Sequence, residues 1–339
     1  MTVVIVPGRV NLIGDHTDYV GGLAMPCAVD LAVTAVVEHG GEVIHLTSDA
    51  TAEPAVVALD ALDDALPAEA TTWERLVHAV ATRVRPTIGA RGRLTTTLPV
   101  GGGLSSSAAC TVALCLALGF EGSPTDLVLL AQAAEQDATG VPCGALDQLA
   151  IVHGRAGHAT VVDAAALTAQ PVPIPAGVGI VVVPSGLSRA LRDTPYAQRR
   201  SEAEAAMALL GGLAGATEEA AEELTDPLLR RRALHVLSEN ARVTAMAAAF
   251  AADDAASAGT LMRESHASLR HDAQVSTHDL DSLVDALCAH RGVYGARLTG
   301  AGFGGSAVAL VDAATGPEVT DAFGGRVVVA SDGARVESS

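Results

Sequence analysis

Apolar positions along the chain follow two periods, alternation in some stretches and helical spacing in others, and they switch at glycines and prolines. Residues 3–6 and 28–38 are β-branched runs that predict strands, and 42–47 predicts another. The stretch 49–70 is acidic and weakly periodic, which predicts a surface loop with a short helix. Over 73–84 the apolar residues Trp73, Leu76, Val77 and Val80 recur at helical spacing. Residues 93–98 alternate as a strand does. Pro99 and three glycines then break the chain, and 105–118 resumes as an almost wholly apolar segment, which predicts a buried helix. Residues 127–137 and 145–152 predict two further helices, and 158–162 a strand. The looser Ala- and Pro-rich segment 165–177 is where a domain boundary is expected. Beyond it, 179–183 predicts a strand and 196–290 is almost all helix, broken near 211–216 and 226–227. Strands at 296–298, 306–311 and 326–329 close a second domain. Without a regular βαβ cadence this order favours an α+β protein of two domains, 1–170 and 171–339.

Composition narrows the function classes. A chain of 339 residues with 49% hydrophobic and 18% charged residues can build sizeable cores and is not disordered. Aromatics are only 2% and the net charge is −18, so neither stacking platforms nor a basic face is available for nucleic acid. All 21 basic residues are arginine, which excludes a Walker-type lysine, a protein-kinase lysine and a Schiff base. Cys27, Cys110, Cys115, Cys143 and Cys288 form no CxxC pair, as expected of reduced thiols in a cytoplasm. The N-terminus lacks the features of a signal peptide. The longest apolar stretch, 108–120, is shorter than the ~20 helical residues that cross a bilayer, so no membrane partner is expected.

Three segments are polar or glycine-rich where their flanks are apolar. PGRVNLIGDHTDY, residues 7–19, gathers Arg9, Asn11, Asp15, His16 and Asp18 just after a strand. Carboxylates at this density suit a polyhydroxylated ligand, because each accepts a pair of hydroxyl hydrogens. The same residues would also make a polar hairpin with Asx turns at Asp15 and Asp18. LPVGGGLSSSAA, residues 98–109, runs a glycine loop straight into a helix. Gly101, Gly102 and Gly103 let backbone N–H groups approach an anion, the helix N-terminus adds donors, and Ser105, Ser106 and Ser107 add hydroxyls for a phosphate or a divalent metal. The bland alternative is a serine N-cap after a flexible turn. LTGAGFGGS, residues 298–306, puts four glycines between two strands and by itself would be a tight hairpin. A quieter pair is Glu135, near a helix C-terminus, and Asp147, in the first turn of a short helix, where an acid is usually a cap. It becomes chemical only beside a metal or a hydroxyl that must lose its proton.

Together these segments resemble the signature motifs of the GHMP kinases, and specifically their galactokinase branch. GRVNLIGDHTDYVGG resembles the galactokinase signature, LPVGGGLSSSAA the nucleotide-phosphate loop and LTGAGFGGS the third motif. VPCGALDQ resembles the catalytic-aspartate segment, and RESHASLRHDAQVSTHDLD with GVYGARLTG extends the likeness toward the C-terminus. The resemblance implies an N-terminal ribosomal-S5-like domain, a C-terminal ferredoxin-like α/β domain and an active site in the cleft between them. It implies ATP and Mg²⁺ as cofactors and transfer of the γ-phosphoryl to the anomeric hydroxyl of a hexose. On it, Asp147 is the base or orienting acceptor and Arg9 its partner. Asp15, His16, Asp18, Gly144 and Tyr196 fall where the family binds sugar hydroxyls. Gly101 to Ser107, Leu104 included, fall on the phosphate loop, and Ser107 and Glu135 match metal ligands. Trp73 falls where the family has an adenine-contacting tryptophan, although a core aromatic would read the same.

The chain departs from the family pattern in places. Asp15 stands where Glu is usual, which withdraws the carboxylate by about 1.5 Å. The segment SGLSRAL, residues 185–191, lacks the usual Asn and His and brings Arg189. Ser306 replaces a common Cys and is expected to be neutral. The chain also begins almost directly at the first motif. The first two departures suggest a pocket for a galactose-like substrate altered at C6, including one with a negative charge bound in part by Arg189. The plainer alternative is that Arg189 replaces a neighbouring family cation or forms a surface ion pair. Another sugar or a cyclitol is a further acceptor class. A silent sensor of sugar and ATP is a third function, against which stand Arg9, Asp147 and the serines.

Overall fold

A computed structural model describes residues 1–99, 102–141, 143–186 and 193–338. The first half runs β1 (Thr2–Asn11), β2 (Leu23–Ala24), β3 (Pro26–His39), β4 (Val43–Ser48), β5 (Ala55–Ala58), α1 (Thr72–Val84), β6 (Ala90–Thr96), α2 (Ser106–Ala117), α3 (Pro124–Thr139), α4 (Leu146–Val152), β7 (His158–Asp163) and β8 (Thr168–Pro173). The second runs β9 (Val178–Pro184), α5 (Asp193–Leu209), α6 (Glu218–Glu222), α7 (Pro227–Ala251), α8 (Ala255–His271), α9 (His278–Ala289), β10 (Val293–Thr299), β11 (Ser306–Asp312), α10 (Gly316–Phe323), β12 (Arg326–Val328) and β13 (Arg335–Ser338). The strands form three sheets, ordered β13-β1-β3-β6-β4-β5, β10-β11-β9-β12 and β2-β7-β8. All pairs are antiparallel except β4 with β6. Among the described residues no helix is long and apolar enough to cross a membrane.

Period-2 patterning explains how the halves join. In β9 and β11, Ile180, Val182, Val308 and Leu310 enter the large core shared with the first half, while Val181, Val183, Ala307 and Ala309 face a second core under α9 and α10. Both faces of this sheet are buried, which is why its central strands read as unbroken apolar runs. The largely apolar α2 is buried against β1, β3 and α3.

The structure differs from the sequence expectations at four places. Residues 55–58, expected in a loop, pair with β4 as an edge strand. β8 lies within the loose segment 165–177 and carries Pro171 and Pro173, which an edge position tolerates because those nitrogens owe no ladder bond. β1 runs through Arg9 to Asn11 past a bulge between Pro7 and Arg9, so the first motif begins inside the strand. β13 returns from the far end of the chain to cover the free edge of β1, and residue 170 lies inside β8.

The second sheet is braced by α8, which meets β10 backbone to backbone. A Cβ on Gly259 would lie 2.3 Å from the Tyr294 carbonyl, and one on Gly295 would lie 2.0 Å from the Gly259 oxygen. Gly259→Ala should therefore destabilise the protein by about 1–3 kcal/mol, the usual effect of overpacking. Urea unfolding measures it, and an unmoved midpoint would contradict this contact.

Candidate active site

Asp147 opens α4, but it does not cap it. The N-cap is Ala145, with no side-chain cap bond. The carboxylate reaches across to two other segments. Oδ1 accepts Arg9 Nε at 2.7 Å, with Arg9 Nη2 2.5 Å from the same oxygen. Oδ2 accepts the Ser105 hydroxyl at 2.5 Å. Arg9 Nη1 donates to the Gly103 carbonyl at 2.8 Å. One guanidinium thus joins β1, the glycine–serine loop and α4, using the divergent N–H directions that only arginine offers. Gly8 makes the approach possible, since a Cβ there would lie 2.6 Å from the Leu104 oxygen. Ser105 is the N-cap residue of α2, yet its φ is 55° and it makes no cap bond. A non-glycine residue in that region carries strain of about 1 kcal/mol or more, and here it aims the hydroxyl at Asp147 instead of the helix end.

Beside Asp147 opens a cleft of about 200 Å³, lined in part by Arg9, Asp15, His16, Asp18, Glu135, Gly144 and Tyr196. Asp18 lies flat against Gly144, where a Cβ would stand 1.8 Å from Asp18 Oδ2. Burial, then the nearby Asp147 and Asp15, push the Asp18 carboxyl up to about 6. His16 Nε2 is 3.2 Å from the Ala301 carbonyl and Nδ1 is 3.1 Å from the Tyr19 hydroxyl. Burial, seconded by His235, lowers this ring to about 3, so it is neutral. Its proton sits on Nε2, because a carbonyl can only accept. Asp15 forms none of the Asx turns it could have made. Its Oδ2 is paired with Arg297 and its Oδ1 accepts the Gly300 N–H at 3.1 Å.

A second cleft of about 190 Å³ continues past Arg9 and Asp147. Gly103, Ser105, Ser106 and Ser107 line it, with Gly300 and Ala301 shared between the two. Ser106 and Ser107 in turn line a third cleft of about 240 Å³, mostly apolar, with Trp73, Leu76, Val33 and Leu94. The three run in sequence: an apolar slot, a serine- and glycine-lined passage, and an acidic basin. That order suits a flat heterocycle, a polyphosphate and a polyol. Trp73 is both a wall of the slot and a core residue, 5% exposed, with its indole N–H on the Leu46 carbonyl at 3.2 Å. Gly102 accepts the Ser306 hydroxyl at 2.8 Å, so Ser306 is not inert but fastens the loop. Gly101 and Arg189 lie outside the described residues.

Glu135 and Ser107 stand together between basin and passage. Glu135 Oε2 accepts Gln148 Nε2 at 2.7 Å. Burial pushes Glu135 up to about 7 despite a hydrogen bond from Ser107 that pulls the other way. Among the described residues no group of three His, Cys, Asp or Glu could hold a metal alone. One hydroxyl and one carboxylate make an all-oxygen set, which fits Mg²⁺, an ion that keeps much of its shell as water and phosphate oxygen.

Sequence reasoning did not single out Arg297, Glu239 or His235, which are buried behind this basin. A signal was present in α7. Arg232, His235 and Glu239 share the buried stripe of Val236, Val243 and Met246, and a charge on an apolar stripe calls for a partner.

The galactose-binding signature of galactokinases matches residues 2–39, the N-terminal domain of GHMP kinases residues 72–155 and their C-terminal domain residues 246–328. A galactokinase of Roseiflexus sp. is 40% identical over 91% of this chain and 83% of its own length. The chain belongs to the galactokinase family. A further galactokinase, from Pyrococcus furiosus, is 35% identical over 94% of this chain and 91% of its own. Lactococcus lactis galactokinase, solved in complex with galactose, superposes with a TM-score of 0.91 at 29% identity, covering 98% of this chain and 94% of its own. A mevalonate kinase, at 19% identity and a TM-score of 0.69, shares the two-domain GHMP fold.

Two outcomes follow for the basin. Asp18 and Glu135 both hold their protons above the ordinary carboxylate range, so the basin gains negative charge between about pH 6 and 7. The kcat/KM for the acceptor should rise with pH across that window, and a flat profile would contradict it. By the same sign the folded state holds protons that the unfolded state has shed, so this pair lends stability at acid pH and loses it progressively as pH rises from about 4 through about 7. Gly144→Ala should push Asp18 aside and raise the acceptor KM about tenfold with little change in melting temperature, as steady-state kinetics and a thermal melt would record.

Proposed function

We propose that this galactokinase-family chain transfers the γ-phosphoryl of ATP to the anomeric hydroxyl of galactose. The observation that carries the reading is the placement of Arg9, whose guanidinium touches Asp147 on one side and the Gly103 carbonyl of the phosphate loop on the other. Asp147 accepts the proton of the attacking hydroxyl. Its carboxylate is held in one orientation by Arg9 and Ser105, so the acceptor oxygen meets a preset partner. Arg9 also stands where charge grows on the transferring phosphoryl. Asp18, His16, Gly144 and Tyr196 orient the sugar, and Asp15 acts through Arg297 and Gly300 as well as at the cleft surface. Loop N–H groups and Ser105 to Ser107 take the phosphates, and Trp73 borders the nucleobase. Ser107 and Glu135 would hold Mg²⁺, which when bound neutralises phosphate oxygens.

Asp15, Asp18, Glu135 and Asp147 face a single arginine, Arg9, among the described residues of the basin. An acceptor that already carries an anionic group at C6 is therefore disfavoured, and Asp15, already paired with Arg297, offers such a group no vacancy. A silent sensor would need no strained Ser105 on the base. The division into two domains is kept with its boundary moved past β8, which pairs with β7 through Pro173, and with β13 returning to the first sheet. The five free cysteines support a cytoplasmic location, and the net charge of −18 supports partners limited to sugar and ATP.

An assay of ADP release across galactose, other hexoses, amino sugars, 6-phosphosugars and cyclitols tests the acceptor. Galactose should lead by a wide margin in kcat/KM, and a lead by any other class would replace it. Asp147→Ala should lower kcat at least about 100-fold while ATP still binds, followed through the fluorescence of Trp73, the one tryptophan. Equal loss of ATP affinity would remove Asp147 from the chemistry.

A further inference from the structure

We infer that α7 is the template on which the sugar-facing loop is shaped, with Glu239 as a positioning residue for the acceptor. This rests on the proposed sugar-kinase reading and deepens it. The loop between β1 and β2 carries Asp15, His16 and Asp18, and beyond one 3-10 turn at Asp18–Val20 it has no regular structure. Its backbone is held from behind by three side chains of α7. Glu239 Oε1 accepts the Gly14 N–H at 2.9 Å, His235 Nε2 is 3.0 Å from the Asp15 carbonyl, and Asn240 Oδ1 accepts the Leu23 N–H at 2.7 Å. None of the three lines the cleft.

Glu239 also acts on Asp15 by a second route. It is fully buried, accepts Arg242 Nε at 2.7 Å and the Ser265 hydroxyl at 2.5 Å, and lies 3.7 Å from Arg297 Nη1. Burial would raise its carboxyl, but Arg297, His235 and Arg242 outweigh that and hold it at about 2. Arg297, also fully buried, spends its other nitrogen on Asp15. The charge of Glu239 therefore balances the arginine that turns Asp15. Closer to the start of α7, Arg232 Nε donates to Glu202 of α5 at 2.8 Å, and α5 carries Tyr196, which lines the cleft with its ring 5.7 Å from that of His16. Val243 and Met246 anchor α7 in the main core, so the loop and α5 are both referred to one helix.

Glu239→Gln keeps the shape and removes the charge. Three measurements decide the matter: hydrogen exchange of the amides over residues 14–24, the galactose KM against kcat, and ATP binding by Trp73 fluorescence. The expected result is faster exchange confined to 14–24 and a galactose KM raised about tenfold, the effect of losing hydrogen bonds to a buried charge, with kcat and ATP affinity held within about twofold. Unchanged exchange over 14–24, or ATP affinity lost in step with the sugar, would overturn the inference. Should Glu239→Gln fail to fold, Asn240→Ala at its half-buried position takes the same measurements, with a KM rise of about threefold expected from one lost hydrogen bond. A wild-type protein that does not phosphorylate galactose would sink the substrate reading, while the exchange comparison still judges α7.

Discussion

The site depends on the contact between Arg9 and Asp147. These residues are far apart in the chain, yet the guanidinium binds the carboxylate through two nitrogens and keeps a third N–H direction for Gly103. A lysine could not do this, because a single ammonium cannot span a carboxylate and a backbone carbonyl with fixed geometry. Once Arg9 is set, the glycine–serine loop and the first turn of α4 have defined places, and the acidic and serine-lined clefts meet at one point. The bulge at Pro7–Arg9 and the bare Cα of Gly8 exist to bring the strand close enough.

A protein of net charge −18 that handles a polyphosphate has to solve a local problem. The solution lies in placement. A helix N-terminus and the backbone donors of a glycine loop supply positive potential without side-chain charge, and Arg9 adds a full charge where basin and passage join. The acidic character is kept for the basin, where carboxylates are placed to accept hydroxyl hydrogens. An apolar slot at the other end completes a gradient of polarity along the three clefts.

Behind the basin lies a cluster of buried charge formed by Asp15, Arg297, Glu239 and Arg242. Such clusters contribute little net stability, because desolvation of each ion offsets most of the attraction. What they provide is orientation. Asp15, Arg297 and Glu239 each have a direction imposed by partners on another element, while Arg242 braces Glu239 from the same helix, so the loop that lines the basin takes its shape from α7 and β10. The departure at Asp15 makes sense in this setting, since its short side chain is met by Arg297 and the Gly300 N–H at the base of the cleft.

Much of the fold was legible because it follows from period and punctuation. The apolar run of α2, the unbroken apolar strands of the second sheet and the breaks before α6 and α7 are local facts, written in hydrophobic patterning and in residues such as Asp226, whose side chain accepts from Leu228 and Leu229 at the start of α7. β5, β8 and β13 were not legible, because short edge strands are defined by a neighbour's free hydrogen bonds more than by their own composition. Likewise the sequence alone determined that carboxylates, an imidazole and a serine-rich loop were available, and in which local settings. The resemblance implied Arg9 as the partner of Asp147, but only the tertiary structure decided that one guanidinium would join that carboxylate to Gly103, that Ser105 would abandon its cap, and that Asp15 would answer to Arg297 and α7. The reason is physical: local pattern records which face of an element is apolar, whereas the partner of a buried polar group is chosen by whichever distant segment packing brings within hydrogen-bond reach.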